Sequence, residues 1–249
     1  MSVRYEELAP REFRERLAAA PIAYLPLGTL EWHGEHLPLG TDALESHAFF
    51  CRLAEEVGGI VLPSLHLGPD RTRNVDGEVM IGMDFWLEGE KENLHAQQLD
   101  GSAYWVSDAL FAAMLDATLA QLKRAGFRIV VGHGHGPSTT YFAGHIDEWR
   151  ERFGLICMTA RTPEDDPVEE HHTHGVMTDH AASNETALVM ALRPELVHLD
   201  RLPENPEERL IGVAGEDPRT GASPEYGERC LEVQTARMAP ILRRELERL

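Results

Sequence analysis

The sequence predicts an α/β fold, a three-layer α/β/α sandwich around a mainly parallel central sheet. Three observations carry this: short runs that are apolar on both faces, amphipathic helical patterns that alternate with them, and glycines where the helical patterns stop. Strands without a polar face belong to a sheet covered on both sides, which is the parallel α/β arrangement.

The elements follow in order. Residues 11–20 read as a short amphipathic helix, with Phe13 and Leu17 four apart, and 22–27 form a β-rich run ending at Gly28. After Asp42 a helical pattern passes through Phe49, Leu53 and Val57, closes at Gly58 and Gly59, and gives way to a strand at 60–62. A long helix over 107–125 sets Leu110, Met114, Leu115, Leu119 and Leu122 on one stripe and ends at Gly126. The strand 127–131 then leads into GHGHG. A helix at 141–153, a strand at 155–159 and a helix from Ser183 to just before Pro194 complete the pattern. No repeat or linker divides residues 1–249, so one domain is expected. Two stretches without strong periodicity, 68–104 and 162–179, are expected to be long loops that wall a site.

Composition narrows the function. The 249 residues carry 42 Asp plus Glu against 23 Lys plus Arg, a formal charge of −19. That surplus repels phosphate backbones and anionic headgroups, so neither nucleic acid nor membrane is an expected partner. Cys51, Cys157 and Cys230 are far apart and odd in number, which points to buried thiols in a cytoplasmic protein rather than a disulfide framework. The N-terminus lacks an apolar signal-like core, and no stretch approaches the ~18 apolar residues of a membrane span.

In such folds functional residues gather where strands end, and two histidine-rich segments follow expected strands. Glu31, His33, Glu35 and His36, with Asp42 beyond a Gly/Pro-containing turn, mix carboxylate and imidazole as a Zn, Mn or Fe site requires. Residues two apart in an extended segment face one side, so Glu31 and His33 can reach one cluster, and Asp42 can rejoin them. His133 and His135 follow the strand at 127–131; a histidine there can equally cap a helix or fill a polar niche. His180 and Glu185 flank Ser183 and Asn184, which read as helix caps. They suggest a proton-transfer group with a ligand or supporting carboxylate, although Glu185 can also simply favour the helix start. The run His171, His172, His174 sits in an acidic stretch and reads as solvated. GxSxG and P-loop patterns are absent.

These segments resemble the creatininase family: LPLGTLEWHGEHLPLGTD its signature, VGHGHG its NGHGGN motif, HAASNETALVMALRP its HAGxxETS segment, and GVAGEDPRTGASPEYG its late GDP segment, in order from about residue 25 to 230. The resemblance implies a dinuclear centre of Zn, Mn or Fe, a small-molecule substrate, and a homo-oligomer, often a hexamer. Position by position, it puts Glu31, His33, Asp42 and His133 on metal ligands, with Asp42 bridging, and the catalytic histidine on His180. His135 falls where creatininase itself has a glutamate ligand, and Glu185 offers a compensating carboxylate. THGVMTD lacks the aromatic that would close over creatinine, so another substrate is expected. Phe85, Trp86, Tyr104 and Trp105 are candidates for a different pocket wall or for an oligomer interface. The expected reaction is hydrolysis of a small, polar, cyclic substrate at a non-peptide C–N bond. The alternatives are C–C ring opening of an oxidised cyclic polyol such as 3-dehydro-scyllo-inosose, and a metal-binding oligomer without catalysis.

Overall fold

The computed structural model describes residues 1–86, 95–161 and 175–249. In chain order its helices and strands are α1 (Pro10–Ala19), β1 (Ile22–Leu27), α2 (Thr41–Val57), β2 (Ile60–Val61), β3 (Thr72–Val75), β4 (Glu78–Ile81), α3 (Met83–Trp86), α4 (Asp108–Ala125), β5 (Ile129–Gly134), α5 (Gly136–Gly144), α6 (Ile146–Phe153), β6 (Ile156–Thr159), α7 (Ser183–Leu192), α8 (Pro218–Gly221) and α9 (Pro224–Glu247).

The central sheet has the order β2-β1-β5-β6 and every pairing in it is parallel. Alternation along the strands divides the core into two layers, as a two-sided sheet demands. Ile22 and Tyr24 of β1, with Ile129 and Val131 of β5, face Phe49, Phe50 and Leu53 of α2, Leu188 of α7 and Leu231 and Leu242 of α9. Ala23, Leu25 and Leu27, with Val130, face Phe111, Leu115 and Leu119 of α4 and Phe142 and Trp149 of α5 and α6. Each large side chain removed from water contributes roughly 1.5–3 kcal/mol, so these layers are the main source of stability.

The expected sandwich is therefore present, with differences in detail. The helix expected over 141–153 is two helices, broken at His145, and the first starts immediately after β5. Residues 68–104 hold a hairpin: β3 and β4 pair antiparallel around Asp76 and Gly77, both at positive φ, the backbone of a tight hairpin turn. The longest helix, α9, was not anticipated. Its signals are local, Ser223 accepting from Tyr226 N–H as N-cap and Pro224 in the first turn, while Pro240 lies inside it. No helix among the described residues is long and apolar enough to cross a membrane. All three cysteines are buried and free.

Candidate metal centre

At the carboxyl ends of β1 and β5 the chain gathers imidazoles and carboxylates into three overlapping groups, two trios joined by a third of Glu31, His33 and His180. The inner trio is His33, Asp42 and Glu185, all buried. His33 Nε2 lies 3.5 Å from Asp42 Oδ2 and 3.6 Å from Glu185 Oε2. The outer trio is Glu31, Asp70 and His135, with His135 Nε2 3.7 Å from Glu31 Oε1 and 3.8 Å from Asp70 Oδ2. His180 Nδ1 stands 3.9 Å from Glu31 Oε1, and its ring packs 4.4 Å from that of His33.

Local structure explains each placement. Asp42 is in the first turn of α2, and Glu185 is in the first turn of α7, where its Oε2 also accepts from Ala181 N–H. The start of α7 is held by Asp179, whose carboxylate accepts from Asn184 and Glu185 N–H; Ser183 instead donates to Glu216, and Asn184 braces Thr178 and Gly175. His36 points away from both trios, bonds Thr186 on α7 and serves as a strut, while Glu35 is exposed.

The β5 histidines separate in a way the sequence did not reveal. The strand runs three residues beyond the expected end at Val131, so His133 is still in the ladder, opposite Pro26. By the period-two rule it shares the face of Ile129 and Val131, and its ring meets Phe49 edge-on at 6.3 Å. His133 is thus in neither trio. His135 is the first residue past the strand. Gly134, at φ +147, lets the chain turn where a Cβ would overlap the Leu27 carbonyl, and His135 N–H bonds that same carbonyl.

The hydrogen bonds assign protons. His33 Nδ1 bonds the Glu31 carbonyl at 3.1 Å and His180 Nε2 bonds the Trp32 carbonyl at 2.9 Å. A carbonyl only accepts, so these nitrogens carry the hydrogen, and the opposite nitrogens present lone pairs toward the carboxylates. Backbone-anchored imidazoles of this kind are how proteins orient metal-binding histidines. Burial holds the imidazoles neutral: it pushes His33 well down, His180 to about 4 and His135 to about 3. Burial likewise drives Glu31 and Glu185 well up and Asp42 to about 7, with neighbouring carboxylates adding to each. Unligated carboxylates crowded in this way are unfavourable.

These observations fit a divalent cation. The imidazole–carboxylate gaps of 3.5 to 3.9 Å exceed a hydrogen bond, and His33 Nε2 and Asp42 Oδ2 find no partner among the described residues. Donors that share one ion at roughly 2.0–2.2 Å are held apart by about such a gap, and neutral imidazole with carboxylate suits Zn, Mn or Fe. Glu45, one turn beyond Asp42, is different: it is fully buried without a hydrogen-bond partner among the described residues, and burial raises its carboxyl well above the usual range.

The trios open onto a cavity of about 860 Å³ lined also by Trp86, Tyr141, Arg71 and Arg161. Trp86 sets its ring edge-on to His180 at 6.0 Å. Tyr104 and Trp105 do not line it: Gly68 and Trp105 form a parallel bridge that pins this stretch beside the crossover from β2, and Tyr104 projects to the surface. Phe85 lies under the Arg73 guanidinium. The His171, His172, His174 run lies outside the described residues. Asp70 is the group that sequence reasoning missed; GPD after an apolar strand is its only local mark.

Comparison with known proteins adds independent findings. A family model described as creatinine amidohydrolase matches residues 6–87 and 91–242. Creatinine amidohydrolase of Pseudomonas putida is 27% identical over 273 residues, covering 98% of this chain and 97% of that protein. The mycofactocin precursor peptide peptidase of Mycolicibacterium smegmatis is 26% identical over 193 residues, 76% of this chain and 65% of that one. A solved structure of creatininase with Mn superposes with a TM-score of 0.74 at 25% identity over 99% of both chains.

Proposed function

We propose, from the premise that this chain belongs to the creatininase family of metal-dependent hydrolases, that it hydrolyses a non-peptide C–N bond of a small polar, cyclic substrate at the paired trios. One observation carries the reading. Two imidazoles give their N–H to backbone carbonyls and turn their remaining lone pairs toward buried carboxylates across gaps too wide for hydrogen bonds.

His33, Asp42 and Glu185 would hold one divalent ion and Glu31 and His135 the other, with Asp42, whose charge acts on both Glu31 and Glu185, as the shared carboxylate. Bound divalent cations supply a water acidic enough to attack near neutrality and polarise the carbonyl under attack. The remaining work belongs to side chains. His180, neutral and fixed through Nε2–H to Trp32, presents Nδ1 as the proton acceptor; it takes the proton from the attacking water and delivers it to the departing nitrogen. Trp86 limits the ring's motion and walls the substrate on that side.

The reading extends to Zn, Mn or Fe as the ions, a homo-oligomer such as a hexamer, and a cytoplasmic setting. Metal analysis of the purified protein, followed by assays with cyclic amides, formamides and keto-inositols before and after chelation, tests it. Turnover of an amide that disappears on chelation and returns with Mn²⁺ or Zn²⁺ is expected. Turnover confined to keto-inositols would move the reaction to C–C ring opening, and unchanged activity in the metal-free protein would overturn the reading.

A further inference from the structure

We propose that Asp70 is a metal ligand, completing with Glu31 and His135 the outer of the two cation sites. This rests on the metal-centre reading above and assigns a role to a residue outside every motif that pointed to the site.

Asp70 belongs to the crossover that leaves β2 for the β3–β4 hairpin, and main-chain bonds bring that crossover to the rim. Leu65 N–H bonds the Pro26 carbonyl, Gly28 N–H bonds the Leu65 carbonyl, and Leu27 and Leu65 form a parallel bridge, so the chain runs beside β1 past the end of β2. Gly68 is then held by Val106 N–H, and Asp70 follows two residues later. Its carboxylate is divided in function. Oδ1 accepts from Arg71 N–H at 2.7 Å, while Oδ2 faces His135 Nε2 at 3.8 Å. The Arg71 guanidinium lies over the Trp86 ring, 5.8 Å from its centroid, rather than pairing with that oxygen.

Two features suit this oxygen to a cation. Space for it comes from Gly82, at φ +51, where a Cβ would overlap Oδ2. Charge is the second. Glu31, Asp42, Asp70 and Glu185 bring four carboxylates together, a charge that two divalent ions would balance. Placing Asp70 beside Glu31 without a cation would set two carboxylates against each other in a largely buried site, which is costly. With Asp70 and the shared Asp42 the outer site offers three oxygens and one nitrogen, a set that accommodates Mn²⁺ as readily as Zn²⁺.

The test is a competition titration of the metal-free protein with Zn²⁺ and with Mn²⁺ against a chromophoric chelator, comparing wild type with Asp70→Asn and Gly82→Ala. Wild type should take up two equivalents. Asp70→Asn should keep one tight equivalent and weaken the other by about 100-fold or more, at least the upper range seen when only a ligand's supporting partner is lost. Gly82→Ala, which removes no donor atom but fills the space of Oδ2, should weaken the same equivalent, so the assignment is tested even if Asp70→Asn folds poorly. Two equivalents at wild-type affinity in both variants would overturn the role of Asp70 and leave the metal centre standing. A wild-type protein that competes for neither ion would overturn the metal centre itself.

Discussion

The inner and outer trios use the same donor chemistry but are built differently. His33, Asp42 and Glu185 are buried; Asp42 and Glu185 sit in the first turns of α2 and α7, while His33 comes from the segment after β1 and is held by its bond to the Glu31 carbonyl. Glu31, His135 and Asp70 come from three connecting segments and face the cavity. Asp42 and Glu185 of the inner trio share the cavity wall with the outer trio and His180, and of the two trios only His33 lies behind it. Rigid elements hold an ion precisely enough for loops to vary the chemistry around it.

The largest effect that sharpens this contrast is His33→Ala. It should remove inner-site metal and reduce turnover by about three orders of magnitude or more, measured as metal content alongside rate. Retention of rate with an emptied inner site would break the pairing of the trios. Next is the pH dependence of the metal-free protein. Carboxyls raised on folding, such as Asp42 to about 7, give stability that is present at low pH and lost as pH rises through that value. Imidazoles lowered on folding, His135 to about 3 and His180 to about 4, act oppositely, but their contribution is complete by about pH 6.5, the unfolded value. Metal-free protein should therefore lose Tm between about pH 6.5 and 8, at about 2–4 °C per kcal/mol, while metal-loaded protein should not. Calorimetry with and without chelator reads this.

His133→Gln isolates the histidine that lies outside both trios. It should keep two equivalents of metal and cost about 1–2 kcal/mol in denaturant unfolding, since it alters a buried contact beside Phe49. Loss of one equivalent would return His133 to the ligand set. The smallest effect is expected from Glu228→Gln, which breaks the bidentate pair to Arg52 between α9 and α2, away from the site. Both partners are partly exposed, so the cost should be under about 1 kcal/mol with unchanged metal content.

Much of this was legible in residue order. Apolar strands alternating with striped helices gave away the layered sheet because burial on two faces leaves a pattern in the chain itself. Glu31, His33 and Asp42 were legible because they share one short segment at a strand end. His180 and Glu185 were legible as flanking a helix start, although the cap came from Asp179, whose role depends on a turn closing over several residues.

Tertiary structure alone decided the rest. Where β5 stops sets how His133 and His135 are presented: a three-residue extension of that strand keeps His133 in the ladder beside Phe49 of α2 and leaves His135 just past its end. Such a boundary is set by pairing with β1, not by the segment's own composition. Tyr104 and Trp105 left the cavity for the same kind of reason, a bridge to Gly68. Asp70 arrived from 39 positions beyond Glu31 through main-chain bonds to the edge of β1. Sequence by itself determined which donor types were present and which layers would cover the sheet, because those follow from side-chain chemistry and periodicity. Which donors meet within 4 Å was decided by backbone pairing between distant segments, and no local pattern encodes that register.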